Sequence, residues 1–128
     1  MRKLVDRNII IYFLEKSYPS HLEDFFQNLF VVGNKYSSIL KIEALSLSKL
    51  WQTKISLVFD FFDQGKEYIL SNEAILKAAE IRRNFKIKLP DAVIAATAIM
   101  HKFKFVTRNE KDFINIPDLS IENRFQPI

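Results

Sequence analysis

"PDAVIAATAIMHKFKFVT", residues 90–107, joins two unlike pieces of chain. Asp91 to His101 is small or apolar almost throughout, as expected of a helix buried on most of its sides. Pro90 suits the first helical turn, where its missing N–H has no partner to lose. Phe103 to Thr107 then form a short strand. A buried helix feeding a short strand is half of a βαβ unit, so this stretch points to a parallel sheet lying between helices.

Working outward, the same alternation recurs. Residues 3–6 form an apolar run ending at Asp6, and Asn8 stands where it would cap a helix carried by Ile9 to Glu15. Pro19 breaks the chain, and Ser20 is placed to cap a helix through Leu29. Punctuation at Asn34–Lys35 precedes a strand over Tyr36 to Leu40, with helical spacing resuming at Ile42 and a further helix over Ile55 to Phe62 that Gly65 ends. Glu67 to Leu70 read as a strand, and Ser71 caps a helix reaching Phe85. "RNEKDF" suggests a short helix, and Leu119 to Ile121 an edge strand. The expectation is a three-layer α/β/α fold with a central, mainly parallel sheet of four to five strands, in one domain over residues 1–128.

Composition excludes several chemistries. With no cysteine among 128 residues, disulfides, thiolate catalysis and Cys-based zinc sites are all ruled out. The longest apolar run, Ile9 to Leu14, is far short of the roughly 20 residues of a membrane span, and a cytoplasmic setting is expected. His21 and His101 have no metal-ligand partners at close spacing, and Ser46 and Ser48 lack a His or Lys arrangement for nucleophilic catalysis. Trp51 and the Phe residues are expected in the core or at a dimer interface.

The acids carry the functional signal. In open parallel sheets ligands bind beyond the carboxyl ends of the strands. Asp6 ends the first strand, Glu43 follows the second, Asp91 opens the buried helix and Asp112 follows the strand that closes the opening stretch. Each alone reads as a turn residue or a first-turn helix acid. Together, two carboxylates about 4 Å apart repel by roughly 4 kcal/mol at an effective dielectric near 20, so a converging set calls for protons or a hard cation. Mg²⁺ or Mn²⁺ takes oxygen ligands and serves phosphodiester hydrolysis. Of 15 acids, setting these four aside leaves 11 against 19 Lys and Arg, a surplus of +8 that suits a polyanion. Lys86, Lys88, Lys102, Lys104 and Arg108 surround the two C-terminal acids in sequence.

The order of "DRN" after a first strand, a lone Glu after the second, "PDAVIAATA" and then "VTRNEKDF" resembles the PIN-domain ribonucleases, especially the VapC-type toxins of bacterial toxin–antitoxin pairs. The resemblance covers essentially the whole chain, and residues 90–113 are its most specific part. It implies an endoribonuclease using Mg²⁺ or Mn²⁺, with Asp6, Glu43, Asp91 and Asp112 as the acidic quartet. It further implies that Asn8 orders the Asp6 side of the site, while Thr107 and Asn109 support the metal-bound waters or the Asp112 loop. A homodimer is implied, as is a small antitoxin whose C-terminal segment covers the acidic pocket.

One position departs from that pattern. The family usually has Ser or Thr between the first Asp and Asn, whereas this chain has Arg7. Turned inward, Arg7 would pair with Asp6 or a neighbouring carboxylate and compete with metal; turned outward, it could bind RNA phosphate, as could Arg108, Lys86 and Lys88. The alternative function is therefore a non-catalytic PIN-like module that binds RNA or protein, with metal binding impaired by Arg7. A receiver-type role, with Asp6 phosphorylated, leaves the C-terminal motifs unexplained.

Overall fold

The computed structural model describes residues 2–32 and 35–125, except for the side chains of 31, 32 and 48–51. The break expected at Asn34 and the placement expected of the Trp51 side chain lie outside the described residues. Among the described residues five short strands, all paired in parallel, make the sheet layer: β1 (Lys3–Val5), β2 (Lys35–Ser37), β3 (Lys66–Tyr68), β4 (Lys104–Val106) and β5 (Ser120–Glu122). They form two hydrogen-bonded ladders, β1-β4-β5 and β2-β3, with β1 lying beside β2. In the first ladder Val5 pairs with Val106 and Val106 with Glu122, so the carboxyl ends of all three strands finish together.

The helices flank this layer, giving the three-layer α/β/α architecture expected. They are α1 (Arg7–Glu15), α2 (Glu23–Gln27), α3 (Ser38–Leu45), α4 (Ser48–Gln64), α5 (Asn72–Asn84) and α6 (Leu89–His101). Ala92 to Ala98 of α6 are all buried, and α5 packs extensively against α6. A run of Ala permits this because small side chains let neighbouring backbones approach closely while every atom stays out of water. Lys102 ends α6 in a left-handed conformation (φ 56°), and its N–H bonds back to the last turn.

Three local expectations are corrected. Asp6, not Asn8, caps α1: its Oδ1 accepts the Arg7 N–H at 2.7 Å, and Asn8 falls inside the first turn. Strand β2 stops at Ser37 instead of reaching Leu40, because the Ser37 hydroxyl accepts the Leu40 N–H at 3.3 Å and starts α3 there. The single helix expected from Ser20 is a 3₁₀ turn over Ser20–Leu22, then α2, then a widened turn over Asn28–Val32. Pro19, not Ser20, stands at the N-cap of that turn, and Ser20 is its first residue. The segment is held by aromatic packing instead, with Phe13 to Phe30 centroids at 4.4 Å and Tyr18 to Phe26 at 4.1 Å. In the longer α4 the helical geometry breaks at Lys54, beside the expected start at Ile55.

Candidate active site

The β1–α1 junction sets the first carboxylate. Asp6 N–H bonds to the Val106 carbonyl at 3.0 Å, extending the β1–β4 ladder by one rung, and the chain then turns into α1. The Asp6 side chain is only 8 % exposed. Its second oxygen accepts the hydroxyl of Thr107, a fully buried residue, at 2.9 Å. That hydroxyl in turn accepts the Asn109 N–H at 3.0 Å, and the Asn109 amide donates to Asp112. A single polar chain therefore runs from Asp6 through Thr107 and Asn109 to Asp112.

Glu43 comes from the second turn of α3 and Asp91 from the first turn of α6. The charges of these acids reach one another: Asp112 acts on Asp6, Asp91 and Asp6 act on Glu43, and Asp6 and Asp112 act on Asp91. Burial pushes the Asp6 carboxyl above its ordinary range, and Asp112 adds to this against the opposing bonds from Thr107 and the Arg7 backbone and the Arg7 charge. Burial likewise raises Glu43, with Asp91 and Asp6 contributing and Arg7 opposing. Asp91 is raised by burial and then by Asp6 and Asp112, opposed by Lys88 and Arg7. These are the shifts expected where desolvation and like charge coincide.

Arg7 turns toward the acids. Its guanidinium lies 3.6 Å from Glu43 Oε2, while 42 % of its side chain remains exposed. Among the described residues no three acids or histidines form a ready-made group able to hold a metal ion. The donor chemistry nonetheless fits a hard divalent cation: the four carboxylates offer only oxygen, and each shares a negative field that a dication neutralises.

The basic residues divide. Lys86 and Lys88 line a groove of about 460 Å³ together with Arg82, Ile87, Asp91 and Asp112. Arg82 was absent from the sequence expectation; its signal is the basic last turn of α5, which ends beside the start of α6. Lys102 and Lys104 do not join the groove. They lie at the C-terminal end of α6 and the start of β4, roughly 16 Å along the helix from Asp91. Arg108 stacks over the rings of Phe125 and Tyr12, at 5.0 and 5.6 Å, and donates to the Tyr12 hydroxyl. Neither histidine joins the acids; His101 packs against Tyr68 and Phe103.

Comparison with known proteins gives the lineage. The PIN domain family model matches residues 3–119. Among solved structures, a chain of a toxin–antitoxin complex from Klebsiella pneumoniae is 27 % identical, with a TM-score of 0.71 and coverage of 91 % of this chain and 94 % of that one. A chain of VapBC2 from Rickettsia felis, solved bound to a promoter DNA fragment, is 25 % identical, with a TM-score of 0.75 and coverage of 96 % and 98 %. VapBC-1 from nontypeable Haemophilus influenzae shares the fold at 22 % identity and a TM-score of 0.77, with coverage of 96 % and 98 %. No curated protein matches the sequence significantly. The chain belongs to the PIN-domain family, and its structural relatives are of the VapBC toxin–antitoxin type.

Proposed function

We propose that this protein is a Mg²⁺- or Mn²⁺-dependent endoribonuclease and the toxin of a toxin–antitoxin pair. The observation that carries the reading is the meeting of Asp6, Glu43, Asp91 and Asp112, drawn from four separate segments to one edge of the sheet. In this reading the four carboxylates hold one or two divalent cations. A cation held there would supply charge neutralisation for an in-line displacement at phosphorus and a more acidic water.

The chain's own residues position and bind. Thr107 and Asn109 fix the orientations of Asp6 and Asp112 through the bonds described above, as outer-sphere partners do at metal sites. Asn8, half-buried in the first turn of α1, orders the Asp6 side. Arg82, Lys86 and Lys88 place positive charge along the groove that holds Asp91 and Asp112, where an RNA backbone would lie. No side-chain nucleophile is needed.

Partners follow from the relatives, which were solved as toxin–antitoxin complexes. A small antitoxin covering the acidic edge and a second copy of the chain are the proposed protein partners. Exposed Ile42, Ile69 and Leu76 supply apolar surface for such contacts. No described helix is long and apolar enough to cross a membrane.

The test is cleavage of RNA by purified protein with Mg²⁺ or Mn²⁺ and with a chelator. Asp6→Asn and Asp91→Asn should each lower the rate beyond the roughly 10–100-fold that loss of an outer-sphere partner costs. Undiminished cleavage by either variant would sink the assignment. The Arg7–Glu43 pair favours one second reading, a non-catalytic module binding RNA or protein; RNA retention by both variants with no cleavage by the native protein would select it.

A further inference from the structure

The acidic edge contains a cation of the protein's own. Arg7 is the first residue of α1, and from there its side chain reaches across to Glu43 on α3. The two lie in different elements, so the contact is tertiary and exists only in the folded chain. Its charge bears on three of the four carboxylates, opposing the upward shifts of Asp6, Glu43 and Asp91. An arginine cannot shed its proton in a protein, so no pH change within the stable range releases it.

The contact is also loose. At 3.6 Å the pair is well beyond the 2.7–2.9 Å of a charge-assisted hydrogen bond, and the guanidinium is partly in water. A half-exposed ion pair of this kind is weak and easily exchanged. Glu43 is the better buried partner, at 19 % side-chain exposure against 42 % for Arg7, so the arginine is the group with somewhere to go.

We propose that Arg7 is a displaceable internal counter-cation: its guanidinium holds Glu43 until a divalent cation takes that carboxylate, and it then swings into solvent at the mouth of the site. The inference rests on the metal reading of the acidic edge given above. Its consequence is regulatory. Metal loading is set against a fixed positive charge carried by the protein itself, so the site fills only when the divalent cation concentration outweighs that charge.

Calorimetric titration of the purified protein with Mn²⁺ at fixed ionic strength tests this without any activity measurement. Three proteins are compared: native, Arg7→Thr, and Lys88→Thr. The last also removes one positive charge that acts on Asp91, but it breaks no contact with Glu43. Arg7→Thr should bind Mn²⁺ about tenfold more tightly than native, the weight of one unit charge beside a half-buried site after solvent screening. Lys88→Thr should stay within about twofold, as a charge outside direct contact with the ligands is screened.

Equal affinities for native and Arg7→Thr would overturn the inference and leave the metal reading standing. So would an equal gain in Lys88→Thr, which would reduce the effect to net charge. No Mn²⁺ uptake by either the native protein or Arg7→Thr would overturn the metal reading and the inference with it.

Discussion

Replacing Thr107 by Val is the sharpest perturbation the structure offers, since it keeps the shape of a fully buried side chain and removes only its hydroxyl. That hydroxyl donates to Asp6 Oδ2 at 2.9 Å and accepts from the Asn109 N–H at 3.0 Å. The first bond serves a carboxylate 8 % exposed, and hydrogen bonds to charged groups contribute about 1.5–3 kcal/mol. The second serves an amide at an exposed residue, where water can take over, so it adds little. The expected loss at pH 7 is therefore about 2–3 kcal/mol, which in a chain of this length lowers Tm by about 8–12 °C.

The pH dependence separates this account from simple loss of packing. Thr107 lowers the Asp6 pKa, so its removal raises that pKa further and penalises the ionised form in particular. Below the ordinary Asp value of 3.8 the carboxyl is protonated in both folded and unfolded chains, and the cost should shrink to about 1 kcal/mol, that of a neutral bond. Denaturant unfolding followed by far-UV circular dichroism at pH 7 and pH 3.5 measures both figures, with Thr107→Ser, which retains the hydroxyl, as the near-native control. A cost below about 0.5 kcal/mol at pH 7, or the same cost at both pH values, would refute the reasoning.

Two further outcomes are expected. Ala96 is fully buried in α6, so Ala96→Leu should destabilise by about 1–3 kcal/mol in thermal melts, since added methylenes force close-packed neighbours apart. Asp6, Glu43 and Asp91 are raised in the folded chain, so the stability they contribute is fully present below their ordinary values of 3.8–4.5 and is lost as pH rises through the folded values. Without divalent cation, Asp91→Asn should accordingly gain up to about 1 kcal/mol over native at pH 7 and nothing at pH 3.5, while Mn²⁺ should raise the native Tm at pH 7 and leave it unchanged at pH 3.5.

The fold was legible where a local pattern and its tertiary setting agree. The small, apolar run after Pro90 specifies a buried helix, and the structure buries every residue from Ala92 to Ala98. Where two residues close together can do the same local job, sequence alone does not choose between them. Asp6 and Asn8 are equally good caps, and the decision lies in the pairing of β1 with β4, about a hundred residues away, which brings Val5 opposite Val106 and ends the strand at Asp6. At Ser37 the apolar pattern reads on as strand to Leu40, but the hydroxyl takes the Leu40 N–H and starts α3 there. Nearness in sequence is no guide to the cations around the groove: Lys102 and Lys104 adjoin Thr107 along the chain but sit at the opposite end of α6 from Asp91, whereas Arg82 reaches the groove from the preceding helix.

Asp6 joins these two levels, and this constrains how its variants should be read. One oxygen starts α1 and the other closes the polar chain to Thr107, Asn109 and Asp112, a connection spanning 101 residues in sequence. A change at Asp6 therefore touches helix initiation and the acidic edge together, and lost activity in an Asp6 variant does not by itself assign a chemical role. Asp91 does not carry the same double duty: the N-cap of α6 is Lys88, and Asp91 lies beyond it in the first turn. Asn at Asp91 removes charge from the site while leaving that start of the helix in place. If Asp91→Asn abolishes metal uptake while its stability at neutral pH rises, the carboxylate is held in the fold at a cost to stability and for its charge. That combination distinguishes a functional acid from a structural one, because a structural acid lowers stability when it is removed.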